Sequence, residues 1–236
     1  MIRPFIPFLM FALLVPGSAL AQDRDDARFS PDRPSPWAFE FGAGTDNRSK
    51  GASKNGDVPY VFGEVQWITA SGFYADAEFE TIDSSGSKVE AEIETGWQFA
   101  TGGLEFDASL SRKWRLDADP GQDDESWEYQ FDILRDFGAI DTRLRFEHSP
   151  DGLGSTRATT WVEARLRWAL ADRLDASVTV GQRAQDNAPD YTGGNAGLTW
   201  GFTDSAAIDL RWHGTNAEAE GEQFEDAVVA SILFEF

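Results

Sequence analysis

The chain has 236 residues, no cysteine and a formal charge of −21. Disulfides, thiol chemistry and a thiolate metal site are therefore excluded, and so is a nucleic-acid partner, whose phosphates this charge would repel. Nine Trp, eighteen Phe and twenty-two Gly in so acidic a chain suit one large β-domain, with aromatic girdles outside and small residues inside.

Met1 to Ala21 reads as a cleaved secretory signal. Arg3 supplies the positive start, Phe5 to Val15 the apolar core, and Ala19-Leu20-Ala21 the small-residue cleavage site. The apolar run falls short of the ~18 residues of a helical span and is broken by Pro7 and Pro16. Export without a helical anchor, followed by alternating strands, points to the outer membrane of a Gram-negative bacterium. Residues 22–36 are polar and proline-rich and read as a flexible periplasmic leader, with a small lumenal plug as the alternative.

From Trp37 to Phe236 the pattern predicts one all-β domain, a transmembrane antiparallel up-and-down barrel of about 12 strands. The segments fall near 37–44, 60–68, 72–81, 88–99, 103–114, 126–135, 139–147, 159–169, 173–183, 191–202, 205–213 and 227–236. Tight connections such as Thr69-Ala70-Ser71 and Asp136-Phe137-Gly138 alternate with longer ones at 45–59, 82–87, 115–125, 148–158, 184–190 and 214–226. Short turns on the periplasmic side and long loops outside are the outer-membrane arrangement.

One parity of the strands is apolar, from Trp37, Phe39 and Phe41 through Phe106, Ala108 and Leu110 to Val228, Ala230, Ile232, Phe234 and Phe236. No charge is expected in that set, which belongs in lipid. The terminal Phe236 resembles the insertion signal read by the barrel-assembly machinery, which makes that machinery an expected partner beside outer-membrane lipid and lipopolysaccharide.

The other parity carries eighteen carboxylates against five mid-strand arginines. A dry interior could not hold that excess, because each uncompensated carboxylate would cost several kcal/mol or have to protonate. A water-filled lumen follows. Asp76, Glu78, Glu80, Glu90, Glu92 and Glu94 form the core of an acidic pore wall. Glu105, Asp107, Glu128 and Asp132 extend it. Arg143, Arg145, Arg165, Arg167 and Arg211 form a basic pore-lining patch. Two readings of that patch stay open: a transverse field across the pore, or cross-strand ion pairs with Asp141, Glu147 and Glu163.

The acidic loops, Asp117 to Glu125 and Glu218 to Asp226, match no EF-hand spacing and read as solvated surface, so no metal or cofactor is expected. His148 and His213 are the chain's two imidazoles. Neither lies in a recognisable catalytic motif, so an outer-membrane enzyme is the weakest alternative.

Three stretches carry a family resemblance: Thr45-Asp46-Asn47-Arg48-Ser49-Lys50-Gly51-Ala52-Ser53, Ser71-Gly72-Phe73-Tyr74-Ala75, and Asp190-Tyr191-Thr192. Together they resemble the TorF-type porin family, although Asn47 stands where an aromatic is usual. The resemblance implies an outer-membrane barrel with pore function and no defined catalytic residues. Arg48, Lys50 and Gly51 are the loop-motif positions it carries over. The expected function is passive diffusion of small polar solutes, cationic or neutral, with a sealed structural or surface-interaction barrel as the alternative.

Overall fold

A computed structural model of the protein describes residues 35–236. Residues 1–34, which include the expected signal peptide and most of the expected leader, lie outside the described residues. The strands are β1 (Trp37–Gly44), β2 (Arg48–Ser49), β3 (Ala52–Ser53), β4 (Tyr60–Ile68), β5 (Phe73–Ser84), β6 (Ser87–Thr101) and β7 (Leu104–Leu116). They continue as β8 (Glu125–Asp136), β9 (Ile140–Gly152), β10 (Arg157–Ala171), β11 (Leu174–Gln185), β12 (Tyr191–Gly201), β13 (Ala206–Thr215) and β14 (Ala227–Glu235). Twelve of these close into one antiparallel barrel in which β1 pairs with both β14 and β4, while β2 and β3 form a small separate hairpin in the first long loop.

Closure leaves no free sheet edge, the condition for strands to sit in lipid. The seam is locked at the short-turn rim, where Phe39 N–H donates to Phe236 O and Phe236 N–H donates to Phe39 O, both at 3.0 Å. The Phe236 ring stacks on Phe41 at 5.7 Å.

The strands overrun the sequence expectation on the long-loop side. The loop expected at 82–87 shrinks to Ser85-Gly86, and that expected at 148–158 shrinks to 153–156. Ser85 and Gly86 both have positive φ, 54° and 79°, the pairing of a tight hairpin turn whose twist matches its strands. Hydrogen bonding can therefore continue past the apolar band, where hydropathy no longer marks a strand.

Burial is inverted relative to a water-soluble fold. Phe39 is 50% exposed and Val228 64%, whereas Arg143 is 1% exposed and Asp209 0%. Apolar residues thus face outward and charges inward, as an oil-exposed sheet requires. One correction applies to the outer face: the apolar row of β7 runs on to Arg112 before Trp114, so the set is not free of charge. Arg135 also lies on that parity, at the short-turn rim beside Phe137, whose ring centre is 4.7 Å away. Rim positions tolerate such charges because the cost of Arg falls to about 0–1 kcal/mol near the interface.

The inner face also carries aromatics. Tyr60, Phe62, Tyr74 and Trp161 are buried, and each lies flat over a glycine of the neighbouring strand. A Cβ on Gly44 would approach Tyr60 to 2.5 Å, one on Gly42 would meet Phe62 at 2.6 Å, and one on Gly181 would meet Trp161 at 2.2 Å. The missing side chain lets a large ring lie against the wall instead of crossing the lumen.

Candidate functional site: the lumen and its inserted loop

Strand register stacks like charges on one wall. Glu64 faces Glu78, Asp76 faces Glu94, Glu78 faces Glu92 and Glu80 faces Glu90 across β4, β5 and β6. Directly opposed carboxylates repel, so the wall needs cations, and the next strand supplies them. Lys113 lies opposite Glu92, and Arg115 opposite Glu90. Arg115 Nε donates to Glu90 at 3.1 Å, and Lys113 Nζ donates to Glu128 at 2.7 Å. Toward the short-turn end Tyr74 Oη lies 2.8 Å from Glu94 and 3.0 Å from Asp107, and Gln98 Nε2 donates to Asp107 at 2.7 Å. Glu105 sits exposed toward the short-turn rim, outside the main lumenal cluster.

Two further cations arrive from the first long loop, residues 45–59, which folds inward. Lys54 Nζ bridges Glu80 and Glu90, with 2.8 Å to Glu90. Lys50 Nζ pairs with Glu147 and lies 3.7 Å from Glu128. The loop therefore spans from the β5–β6 wall to β8 and β9. A continuous alternating chain results: Glu92, Lys113, Glu128, Lys50, Glu147, Arg145 and Asp132.

Local contacts fix the loop's shape. Arg48 donates from Nε to Asp46 at 2.5 Å, from Nη2 to Asp57 at 2.9 Å and from Nη1 to the Gly51 carbonyl at 3.2 Å. Arg48 Nη1 also reaches the Glu225 carbonyl at 2.5 Å, tying this loop to the one between β13 and β14. Gly51 has φ +87°, and a Cβ there would lie 2.8 Å from the Gly214 carbonyl oxygen. Its backbone conformation and close approach to β13 both favour glycine. The Arg48 hydrogen bond holds the Asp57 carboxyl below its ordinary value, whereas burial pushes the Asp46 carboxyl up despite Ser53 and Arg48. Burial also opposes charge on Lys54, but Glu80 and Glu90 outweigh it and raise the ammonium above its ordinary value.

The arginine patch is largely paired. Arg143 meets Glu163 at 2.7 Å, Arg145 meets Asp132 at 2.6 Å, Arg167 meets Asp175 at 3.0 Å and Arg211 meets Asp209 at 3.0 Å. Arg165 is buried beside Arg143 in register. Cross-strand ion pairing thus describes Arg143, Arg145 and Arg167, whereas Arg211 pairs with Asp209 on its own strand; of the acids expected as partners, Glu163 meets Arg143 and Glu147 lies 3.8 Å from Arg145. Of the two imidazoles, His148 Nδ1 lies 3.0 Å from Thr160 Oγ1, and His213 lines the lumenal cavity.

Between the inserted loop and the walls lies a polar cavity of about 200 Å³. Glu78, Glu92 and Glu128 face it from one side, Arg145, Thr179 and Asn195 from the other, and Lys50 and Lys113 between them. Lys54, Lys113 and Arg115 are the site residues that sequence reading passed over. Lys113 and Arg115 were legible, since they continue the inner parity of β7. Lys54 was not, because only the fold of an irregular loop brings it to Glu80.

A largely apolar outer face around a charged interior, closed by twelve strands, defines a β-barrel of the outer-membrane type. Residues 30–235 match the family described as a bacterial protein of unknown function (Gcw_chp), and the chain belongs to that family. No curated protein matches the sequence. Among solved structures, the barrel is similar to the KdgM porin, with TM-score 0.59 and 6% identity over 84% of this chain and 99% of that one. It is similar to the NanC porin, with TM-score 0.61 and 7% identity over 84% and 98%. It is also similar to an outer membrane channel from Pseudomonas putida F1, with TM-score 0.55 and 8% identity over 86% and 96%. At these identities the likeness establishes the fold.

Proposed function

We propose that the protein is a porin of the Gram-negative outer membrane, giving passive diffusion to small polar solutes that are cationic or neutral. The observation that carries this reading is the carboxylate-rich polar cavity inside a closed barrel whose outer face is apolar. Arg143, Arg145, Arg167 and Arg211 are held by carboxylates, so the acidic wall and the loop lysines set the field a solute meets. The KdgM porin has been solved with oligogalacturonate, a polyanion; the acidic lumen here favours a different class of solute. Arg48, Lys50 and Gly51, the positions carried over from the TorF-type resemblance, line the cavity from loop 45–59, which we read as narrowing the pore. Lipopolysaccharide around the long-loop rim and the assembly machinery at Phe236 complete the expected partners. We read the protein as a channel and not as an enzyme.

Planar-bilayer recording of the purified barrel tests the proposal. Discrete current steps with cation preference are expected. A bilayer that stays at the lipid background would favour the second reading, a sealed barrel. That reading has its own support, because loop 45–59 is ion-paired across the lumen and Phe224 of the last loop packs on Tyr191 at 5.2 Å.

A further inference from the structure

Arg112 breaks the uncharged outer face. Register puts it opposite Ile93 on β6 and Trp127 on β8, two pairs inside the Trp114–Glu125 pair and toward the long-loop rim. Its guanidinium carbon lies 4.8 Å from the Trp127 ring centre and 5.6 Å from that of Trp114. Nη2 donates to the Glu125 carboxylate. An arginine has five N–H donors, and among the described residues no acceptor meets Nε or Nη1. Glu125 is the first residue of β8 and is 53% exposed, on the water side of Arg112. Nε and Nη1 are thus left at the girdle without a protein acceptor, on a side chain that is 28% exposed.

Chemistry selects the missing partner. It must be anionic, carry several acceptor oxygens and sit at the height of an aromatic girdle, between acyl chains and water. A phosphate group meets all three conditions, and the planar fork of arginine matches it two oxygens at a time. The two indoles hold that plane before the ligand arrives, so little side-chain entropy is lost on binding. We propose that Arg112, clasped by Trp114 and Trp127, docks a phosphate of the lipid A glycolipid in the outer leaflet. This rests on the reading that the long-loop rim faces the cell exterior.

Native mass spectrometry of the detergent-solubilised full barrel, titrated with bisphosphorylated lipid A or its dephosphorylated form, tests the site. The wild type should retain the phosphorylated lipid and release the other. Arg112→Gln should weaken retention about tenfold, a loss typical of one charge-assisted hydrogen-bonded pair. Arg112→Lys should fall between the two, and Arg135→Gln at the opposite rim should match the wild type. If Arg112→Gln does not yield a folded barrel, Trp127→Leu, which leaves the charge but removes one indole, should still weaken retention. Equal binding of both lipids, or retention unchanged by these variants, overturns the proposal; equal retention of phosphatidylglycerol overturns its assignment to lipid A. Channel conductance should be unaltered in Arg112→Gln, so a failure to conduct would count against the pore and not against this site.

Discussion

Lys54 is where the loop is fastened to the acidic wall, and removing its charge tests the lumen most directly. In the folded protein Lys54 Nζ lies between Glu80 and Glu90, whose side chains face each other in register and are 8% and 6% exposed. Lys54→Gln leaves those two carboxylates opposed without the ammonium between them, while Arg115 stays 3.1 Å from Glu90. Deleting one partner of a fully buried pair costs about 3–5 kcal/mol. Lys54 is 23% exposed in a watered lumen, so solvent screening reduces the figure to about 2 kcal/mol. Spent on loop anchoring alone, that shifts the balance between docked and released loop roughly thirtyfold. Single-channel recordings in planar bilayers should therefore show larger conductance for Lys54→Gln. Reversal potentials under a salt gradient should move further toward cations, because a fixed positive charge has left the lumen. The exchange Lys54→Glu with Glu80→Lys should restore the wild-type values. Unchanged conductance and reversal potential in Lys54→Gln would refute the reasoning, since the loop would then not bound the pathway.

Three further outcomes are expected. Glu92→Lys puts a second ammonium opposite Lys113 and should turn the reversal potential toward anions; an unchanged value places Glu92 off the pathway. Gly181→Leu drives a side chain into the Trp161 ring, so the chemical-denaturation midpoint should fall by an amount equivalent to about 1–3 kcal/mol, and an unaltered midpoint would mean the ring moves at no cost. The Arg48–Asp57 contact sets a pH dependence with a definite sign. A carboxyl held below its ordinary value of 3.8 contributes stability that is complete above that value and lost as pH falls through the lower folded one. Conductance should then hold steady from neutral pH down to about 5 and change only in stronger acid, with Asp57→Asn losing this dependence of the loop; a transition near neutrality would mean that another group governs it.

The acidic wall and the arginine patch differ in how far sequence reasoning could take them. Glu90, Glu92 and Glu94 were legible as inner-face residues because a strand has a period of two, and one apolar neighbour such as Ile93 fixes the side of every other residue. The partners of those residues were not legible. Arg145 pairs with Asp132 on the preceding strand because register sets them opposite, and register depends on turn geometry and closure around the whole ring. Arg112 shows the limit of parity reading from the other direction. Its parity was clear, but whether it lies in oil or at the water boundary depends on how far β7 extends.

What the sequence determined by itself is the alternation: which residues face out, which face in, and roughly where each strand turns. Local sterics and hydropathy set these, and both are written into adjacent residues. Only the tertiary structure decided what fills the interior. Loop 45–59 has no period to read, and its course is fixed by Lys50 finding Glu147 and Lys54 finding Glu80 across the lumen. Such contacts form between residues far apart in the chain, and they exist only once twelve strands have closed into a ring.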